Sequence, residues 1–339
     1  MAQGLVRVKR AQPRPRGRLD GLIGRLAIRI RACSEALGDP VSSYLHVGTG
    51  APRLMIDEAR LKQLSGSARS RNQLMKVVEE LSQEIQLDYA YFASVKGAPV
   101  VPGGSLKGNV RARLELSLAP GEGCIRSCLI RASRGPLEPP PPGGHGWRHF
   151  RVWSEALGFA REPACDYTEG QGEVCLLCDL FGTAGLQGLV AFGDLVGERV
   201  QLKPIDLSTG ERLLVAPPNS AFSGPATFAN LRPWELGLLL YGMGLRDSRL
   251  GRPVLFGKMK YRRPPGYVFG VVRYEVDQLE LAPFSQPLEV EGLSVRPGSR
   301  AEGKTLDGLI HALVGAARAK LDGELLDVDE VSRLEQLRA

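Results

Sequence analysis

Residues 100–115 read Val-Val-Pro-Gly-Gly-Ser-Leu-Lys-Gly-Asn-Val-Arg-Ala-Arg-Leu-Glu, and this stretch decides how the chain can fold. Two β-branched residues lead into a glycine turn, and the turn leads into a basic segment that we predict to start a helix. Backbone N–H groups of such a turn and of a helix N-terminus converge on one place, where Lys107 and Arg111 add positive charge. The stretch therefore suits a phosphate, although a turn that merely connects strand to helix is the alternative.

The same stretch does not fit a nucleotide-hydrolysing P-loop. That motif needs a lysine followed by serine or threonine, whereas Lys107 is followed by Gly108. Nucleotide hydrolysis is therefore poorly supported.

Alternating and aromatic segments surround this stretch. Residues 25–35, RLAIRIRACSE, alternate apolar residues with arginines, which predicts a first strand with one solvent-facing side. Residues 44–50, YLHVGTG, end in a glycine turn, and residues 89–101 predict a hairpin that turns at Lys96-Gly97. The remaining patterns predict a helix over 56–87, short strands over 182–215, a helix over 232–243, a strand over 266–276 and a helical tail over 304–337.

These elements predict an α+β fold with one elaborated main domain. We expect a basic N-terminal arm at 1–24 and a main domain at 25–290, interrupted by a helical insertion at 57–87 and by an insertion with cysteines and a proline loop at 120–180. Residues 291–339 are expected to form a C-terminal helical extension.

The charge distribution favours a polyanionic partner. The chain has 44 lysines and arginines against 37 acidic residues, a net charge of +7, and the basic residues are dense near the N-terminus. Such an arm could lie along phosphates and release counterions, or it could be a solvated tail. No apolar run approaches the roughly 18 to 20 residues of a membrane span, and the N-terminus lacks the pattern of a secretion signal, so a cytoplasmic protein is expected.

Six cysteines in a reducing compartment suggest a metal site more than disulfides. Cys124 and Cys128 are four positions apart, and Cys175 and Cys178 are three apart, so each pair can present two thiolates to one zinc ion. His145, His149 and Cys165 lie between the pairs, and spacing leaves the choice of four ligands open. Cys33, in the first predicted strand, is expected in the core.

The glycine stretch closely resembles the Pro-Gly-Ser-Ser-Leu-Lys-Gly motif of the RAMP superfamily of CRISPR-associated proteins, with Gly104 where serine is usual. Other segments resemble further family motifs in the family's order: LHVGTG at 45–50, CLLCDLFG at 175–182 followed by GLVAFGD at 188–194, and, more loosely, GKMKYRRPPGYVFG at 257–270.

The resemblance implies a ferredoxin-like, RRM-like antiparallel sheet with helices on one side, a β-hairpin thumb and a zinc-bearing insertion. It also implies a subunit of a type III effector complex in antiviral defence, which grips guide RNA (crRNA), pairs it with target RNA and contacts neighbouring RAMP proteins. The implied RNA contacts are His46, Gly48, Ser105, Lys107, Arg111, Lys258, Lys260 and Arg262. The implied structural zinc would be held by Cys124, Cys128, Cys175 and Cys178.

Related backbone subunits cut target RNA with a metal and one aspartate, placed between the first strand and the glycine motif. Asp88 lies close to the family's offset from that motif, and Asp57 follows LHVGTG, so both are candidates for an endoribonuclease that uses Mg²⁺. Either residue could equally be a helix cap or a loop residue.

Two other functions compete with that of a backbone subunit. A non-catalytic terminal or adaptor subunit would accommodate the insertions and the helical tail. A guide-processing endoribonuclease would depend on histidine acid–base chemistry, for which the chain has four histidines.

Overall fold

The computed structural model describes residues 5–48, 59, 62, 66, 70–84, 90–130, 138–168, 172–208 and 210–337. The strands are β1 Leu5–Val8, β2 Arg10–Ala11, β3 Leu22–Ala32, β4 Ser94–Val95, β5 Ala98–Val101, β6 Cys124–Ile125, β7 Ala160–Arg161, β8 Val174–Cys175, β9 Val190–Phe192, β10 Leu195–Gly197, β11 Lys203–Asp206, β12 Arg212–Val215, β13 Ala221–Leu231, β14 Val254–Leu255, β15 Val271–Leu281, β16 Leu288–Val290, β17 Leu293–Val295 and β18 Arg300–Glu302. The helices are α1 Arg71–Glu84, α2 Gly103–Ser117, α3 Trp147–Val152, α4 Ser154–Leu157, α5 Leu176–Phe181, α6 Pro233–Gly242, α7 Gly303–Lys320 and α8 Glu330–Gln336, with a 3₁₀ turn at Glu35–Leu37.

The central sheet is built around β3. Its strand order is β14-β15-β3-β13-β10-β5-β4, with β18 on β15 and β9 on β13. Both neighbours of β3 are antiparallel to it, and Ile28 lies opposite Gly224 of β13 and Val276 of β15. The α+β class predicted from the sequence is confirmed.

The alternation predicted for the first strand is present in β3. Leu26, Ile28 and Ile30 are fully buried on one face. The strand begins at Leu22 rather than Arg25, because Leu22 is also buried and lies opposite Leu231 of β13. The hairpin predicted with its turn at Lys96-Gly97 is confirmed by the pairing of β4 with β5.

The outer face of β3 carries arginines whose charges are neutralised by acidic residues. Arg25, Arg29 and Arg31 alternate along this face, and all three form ion pairs. Their acidic partners are Glu280, Glu198, Glu275, Asp277 and Asp39. These arginines therefore offer little free charge to a polyanion.

A layer of helices covers the apolar face of the sheet. One continuous core joins Leu26 and Ile30 of β3 to apolar residues of α2, α6 and α7. Helices α6 and α7 are in backbone contact, because a Cβ at Gly237 would collide with the carbonyl oxygen of Leu313. Residues 291–339, expected as an extension, thus supply β18 to the sheet and α7 to the helical layer.

A second core lies under the insertion. Phe150 and Trp153, from α3 and the residue after it, pack in one cluster with Val331 and Leu334 of α8. Of the helical insertion predicted at 57–87, the structure describes α1 as a helix. Within the described residues, no helix combines the length and the apolar character that a membrane crossing requires.

The N-terminal arm is part of the fold. β1 runs parallel to β6 and β7, and β2 is antiparallel to β8. Arg14 joins Asp179 at 2.9 Å and the buried Glu235 at 2.5 Å, and Arg16 joins Asp179 at 2.6 Å. This corrects the expectation of a free basic arm, since these arginines are held by internal carboxylates.

Candidate nucleic-acid interface and metal centre

The glycine stretch opens α2 at the surface of the protein. Pro102 is extended, and Gly103 begins the helix with its N–H donated to Oδ1 of Asp194 at 2.8 Å. A Cβ at Gly103 would collide with the carbonyl oxygen of Phe192, so only glycine allows this contact between α2 and the end of β9. The N–H groups of Ser105 and Leu106 donate to the Pro102 carbonyl. The helix itself therefore uses two of the backbone N–H groups that we expected to face a phosphate.

The exposed positions of this turn are Gly104, Ser105 and Gly108. Lys107 is half-buried, and burial together with the positive charge of Arg111 lowers the pKa of its ammonium group. Among the described residues, the Lys107 ammonium has no hydrogen-bond or ion-pair partner. It is therefore a cation whose counter-charge must come from solvent or from a ligand.

Arg111, which we expected to contact RNA, points into the protein instead. Its Nε donates to Glu115 at 2.7 Å and its Nη1 to the carbonyl of Gly182 at 2.5 Å, while Nη2 lies 3.1 Å from Sγ of Cys178. Arg111 and Glu115 are both buried. Because Arg111 lies one helical turn beyond Lys107, on the side of α2 that faces α5, it braces the cysteine cluster and is not available to a phosphate.

The segment 44–48 lies beside the hairpin that leads to α2. His46 is buried, and its Nδ1 is 2.8 Å from the carbonyl oxygen of Leu214. Burial outweighs this hydrogen bond and, with the charge of Lys258, lowers the pKa of His46. Gly48 is exposed and forms a β-bridge with Phe92. Of the two residues expected to contact RNA here, Gly48 is thus accessible and His46 is mainly structural.

The loop after β14 also contains both an accessible residue and residues that are buried or paired within the protein. Lys258 is exposed, and it has no hydrogen bond or ion pair within the described part of the chain. Lys260 is half-buried with its Nζ 5.5 Å from the Tyr261 ring centroid, and burial lowers its pKa. Arg262 is exposed but forms an ion pair with Glu211 at 2.6 Å. Lys258 is accordingly the freest cation of the three.

Three segments that are far apart in sequence meet at this surface. A Cβ at Gly257 would lie 3.0 Å from the carbonyl oxygen of His46, which places the late loop against segment 44–48. Asn109 of α2 donates to the carbonyl of Leu255 at 2.8 Å, which fixes α2 to β14. The fold therefore packs α2, segment 44–48 and the loop after β14 together.

Four buried cysteines form a compact cluster on the other side of α2. Cys128, Cys165, Cys175 and Cys178 have sulfur atoms that all lie within 4.8 Å of one another. The distance from Sγ of Cys128 is 3.5 Å to Cys178 and 3.7 Å to Cys175. A disulfide would need about 2 Å, whereas four thiolates about 2.3 Å from a tetrahedral zinc lie about 3.8 Å apart. The cluster thus fits one metal ion.

The structure replaces one of the four expected ligands. Cys124 lies outside the cluster on β6, half-buried, with its Sγ 3.5 Å from the carbonyl of Gly121. Its strand pairs with β1 of the arm, where Cys124 lies opposite Arg7. Cys165 takes its place in the cluster. The backbone N–H of Cys175 donates to the Cys165 sulfur at 3.3 Å. Position in sequence between the two pairs was the signal for Cys165, but spacing alone could not choose it.

The remaining predicted positions differ in what the structure describes. Asp57 and Asp88, the candidate catalytic residues, lie outside the described residues. Cys33 is fully buried, and burial, followed by the charge of Asp39, raises the pKa of its thiol to about 12. The expectation of a core cysteine is confirmed.

The comparison with protein-family models agrees with the motifs. The family model of the RAMP superfamily matches residues 40–287. Among solved structures, the chain is similar to the crystal structure of Thermofilum pendens Csc2, with 12% sequence identity and a TM-score of 0.35, over 96% of this chain and 85% of that chain. No curated protein sequence matches the chain. The matched region begins before segment 44–48 and continues beyond β15.

Proposed function

This chain belongs to the RAMP superfamily, and from that premise we propose that it binds guide RNA as a subunit of a type III CRISPR effector complex in antiviral defence. One observation supports this proposal above the others. Three segments that resemble family motifs pack against one another, and two of the lysines that they carry, Lys107 and Lys258, have no counter-charge from the described residues.

The chemistry of this surface suits an RNA backbone. Ser105 offers a hydroxyl group, Gly48 and Gly104 allow close approach of a ligand to the main chain, and the two lysines supply charge. Lysine binds phosphate as a point charge, without reading the base. A grip of this kind is what a subunit needs when the guide sequence varies.

The strand order supports the finer proposal about the fold. β15, β3, β13 and β10 lie side by side, each antiparallel to its neighbour. With α2 after β3 and α6 after β13, this is the order of a ferredoxin-like, RRM-like domain. We assign the thumb to the β11–β12 hairpin, which joins no larger sheet among the described strands and is bridged to Ala90 through Leu213.

We further propose that the cysteine cluster holds a structural zinc ion. Four cysteines satisfy zinc without an open position, which is typical of a structural site rather than a catalytic one. Zinc would supply a cross-link between three chain segments, which contain Cys128, Cys165 and the pair Cys175 and Cys178. The chain itself orients the ligands through the Arg111 guanidinium and the N–H of Cys128, which lies 3.4 Å from Sγ of Cys175.

The test of RNA binding uses the full-length protein and a labelled single-stranded RNA of guide length. We expect Lys107→Ala and Lys258→Ala each to lower affinity about 3- to 10-fold and to reduce the salt dependence of binding, since each removes about one phosphate contact. Lys304→Ala, at an exposed lysine on α7, is the matched control. Unchanged affinity in the double variant Lys107→Ala, Lys258→Ala, with the fold intact, would contradict the proposal.

A guide-processing endoribonuclease is less well supported. His46 is buried against a backbone carbonyl, and His149 packs edge-on against Tyr261. His311 is exposed on α7 and lies 3.0 Å from Asp247. These histidines do not share a site, so acid–base chemistry by a histidine pair has no structural basis among them.

The place of the subunit within the complex separates the two remaining candidates. A backbone subunit would contact identical neighbours along the guide and would cut target RNA with Mg²⁺, whereas a terminal or adaptor subunit would do neither. We favour the backbone subunit because the CLLCDLFG segment, which resembles that of backbone subunits, supplies two residues of the cysteine cluster.

A further inference from the structure

A second cationic cavity lies beyond the surface described above. Its volume is about 420 Å³, and it opens between α3, the end of the loop after β14 and the C-terminal end of α8. The side chains that matter for its chemistry are Arg148, Arg263, Pro264, Tyr267 and Leu337. Arg148 comes from the proline-loop insertion, so the expectations drawn from family motifs did not include it.

The charges in this cavity are incompletely balanced. Arg148 has neither a hydrogen bond nor an ion pair to any residue that the structure describes, although its Nε is shielded from solvent. The Arg263 side chain is 5% exposed and is oriented by Glu335, at 3.4 Å, and by the carbonyls of Lys260 and Arg262. Arg148 is therefore a guanidinium group without a counter-charge among the described residues, and it lines the same cavity as Arg263. Shielding an arginine nitrogen from solvent without a hydrogen-bond acceptor costs free energy, unless a bound anion supplies the acceptor.

An aromatic side chain lies beside these arginines. Tyr267 lines the cavity and is held in place by Tyr44, edge-on at 5.7 Å, and by Phe269, stacked at 6.1 Å. An aromatic ring next to guanidinium groups can stack a base while the arginines bind its phosphate.

We propose that this cavity binds one nucleotide of an RNA strand, with the phosphate between Arg148 and Arg263 and the base against Tyr267. The inference rests on the proposed function, because the loop that provides Lys258 also provides Arg263 and would guide the same strand. A nucleotide explains the cavity better than an acidic peptide does, since a peptide carboxylate would use the arginines but not the Tyr267 ring that lines the cavity.

The chain offers a closely matched control for Arg148. Arg151 lies on the same short helix α3 and is exposed, but it does not line the cavity. Removing either side chain changes the net charge equally, so a difference between Arg148→Ala and Arg151→Ala reports the cavity rather than the overall charge.

The experiment measures binding of full-length protein to labelled single-stranded RNA over a range of salt concentrations. We expect Arg148→Ala to lower affinity about 3- to 10-fold and to flatten the salt dependence by close to one phosphate contact, and Arg151→Ala to change both much less. Photocrosslinking with RNA that contains 4-thiouridine should label the peptide that includes Tyr267, and the label should be lost in Arg148→Ala.

The outcomes separate the two proposals. If Lys107→Ala and Lys258→Ala weaken binding but Arg148→Ala behaves like Arg151→Ala, the cavity inference fails and the proposed function stands. If none of the four variants changes binding, both fail. If a polyglutamate peptide, but not RNA, protects the Tyr267 region in hydrogen exchange, the occupant is a protein segment and the inference is wrong.

Discussion

The guanidinium of Arg111 lies 3.1 Å from the sulfur of Cys178, and it is also paired with the buried Glu115. One side chain thus links α2, which opens at the candidate RNA surface, to the cysteine cluster. An arginine beside a thiolate-rich site offsets part of its negative charge and orients one ligand. The cluster and the candidate RNA surface therefore share one helix, with Arg111 one turn beyond Lys107.

Arg111→Ala should damage the protein by two routes. It leaves Glu115 as an unpaired buried charge, which costs about 3 to 5 kcal/mol, and it should lower metal affinity about 10- to 100-fold. Urea unfolding and metal competition with a chromogenic chelator measure the two effects. Arg126→Ala, which breaks a more exposed pair with Glu324, should cost much less; equal losses would show that Arg111 has no special role.

The identity of the metal ligands gives a sharp comparison between two cysteines. We expect Cys165→Ser to lose bound zinc and Cys124→Ser to keep it, because only Cys165 lies within the cluster. Elemental analysis of the purified proteins measures this directly. Zinc retained in Cys165→Ser and lost in Cys124→Ser would reverse the assignment.

Arg14 should matter for stability rather than for RNA affinity. Its Nη1 is 2.5 Å from Glu235, whose side chain is 3% exposed. Arg14→Ala removes this ion pair and should lower the free energy of unfolding by about 3 kcal/mol, because the buried carboxylate loses its counter-charge. Arg7→Ala, at an exposed site on β1, should be nearly neutral in thermal unfolding. A variant at Arg14 that keeps full stability but loses RNA binding would restore the view of a basic arm on phosphates.

Asp39 should stabilise the fold in a pH-dependent manner. Burial alone would raise its pKa, but the N–H of Ser34 and the guanidiniums of Arg273 and Arg31 together lower it. Because the folded-state pKa is depressed, the stabilisation is complete above the unfolded value of about 3.9 and is lost as pH falls through the folded value.

Asp39→Asn should therefore lower the free energy of unfolding by about 2 kcal/mol near pH 7, and the difference from wild type should shrink below about pH 4. Urea unfolding at several pH values measures this, with the exposed Asp322→Asn as the control. A pH-independent difference would mean that the charge of Asp39 is not the cause.

Target cleavage tests the catalytic candidates that the sequence identified. In the assembled complex with Mg²⁺, we expect Asp88→Ala or Asp57→Ala to lower the cutting rate at least about 100-fold if that residue binds the metal or orients the nucleophile. Guide binding should be unchanged in both variants. Wild-type cutting by both variants would remove the two assignments, and absence of cutting by the wild-type complex would favour the adaptor subunit.

Local patterns predicted the elements well where one face of an element is buried. The alternation of Leu26, Ile28 and Ile30 predicted β3, and the turn at Lys96-Gly97 predicted its hairpin, because side-chain period and turn chemistry are local properties. The helix predicted after the glycine turn is present as α2, but it begins within that turn, at Gly103, rather than after it.

Partnerships between distant residues were not predictable in this way. Arg31 looked free in sequence, yet strand pairing and the loop after β3 bring Glu275 and Asp39 to it. Spacing favoured Cys124 as a ligand and left Cys165 as an alternative, whereas the fold brings Cys165 to the other three cysteines. These outcomes depend on sheet register and on the path of an insertion, which a single sequence does not encode locally.

The docked arm has a consequence for how the nascent chain matures on the ribosome. The N–H of Val8 donates to Glu162, which is 154 positions later in the sequence, and β2 pairs with the strand that includes Cys175. Neither contact can form before those later residues have been synthesised. The pairing of the arm is therefore completed only after these later segments have been synthesised, which slows folding and leaves strand edges open to other chains until then.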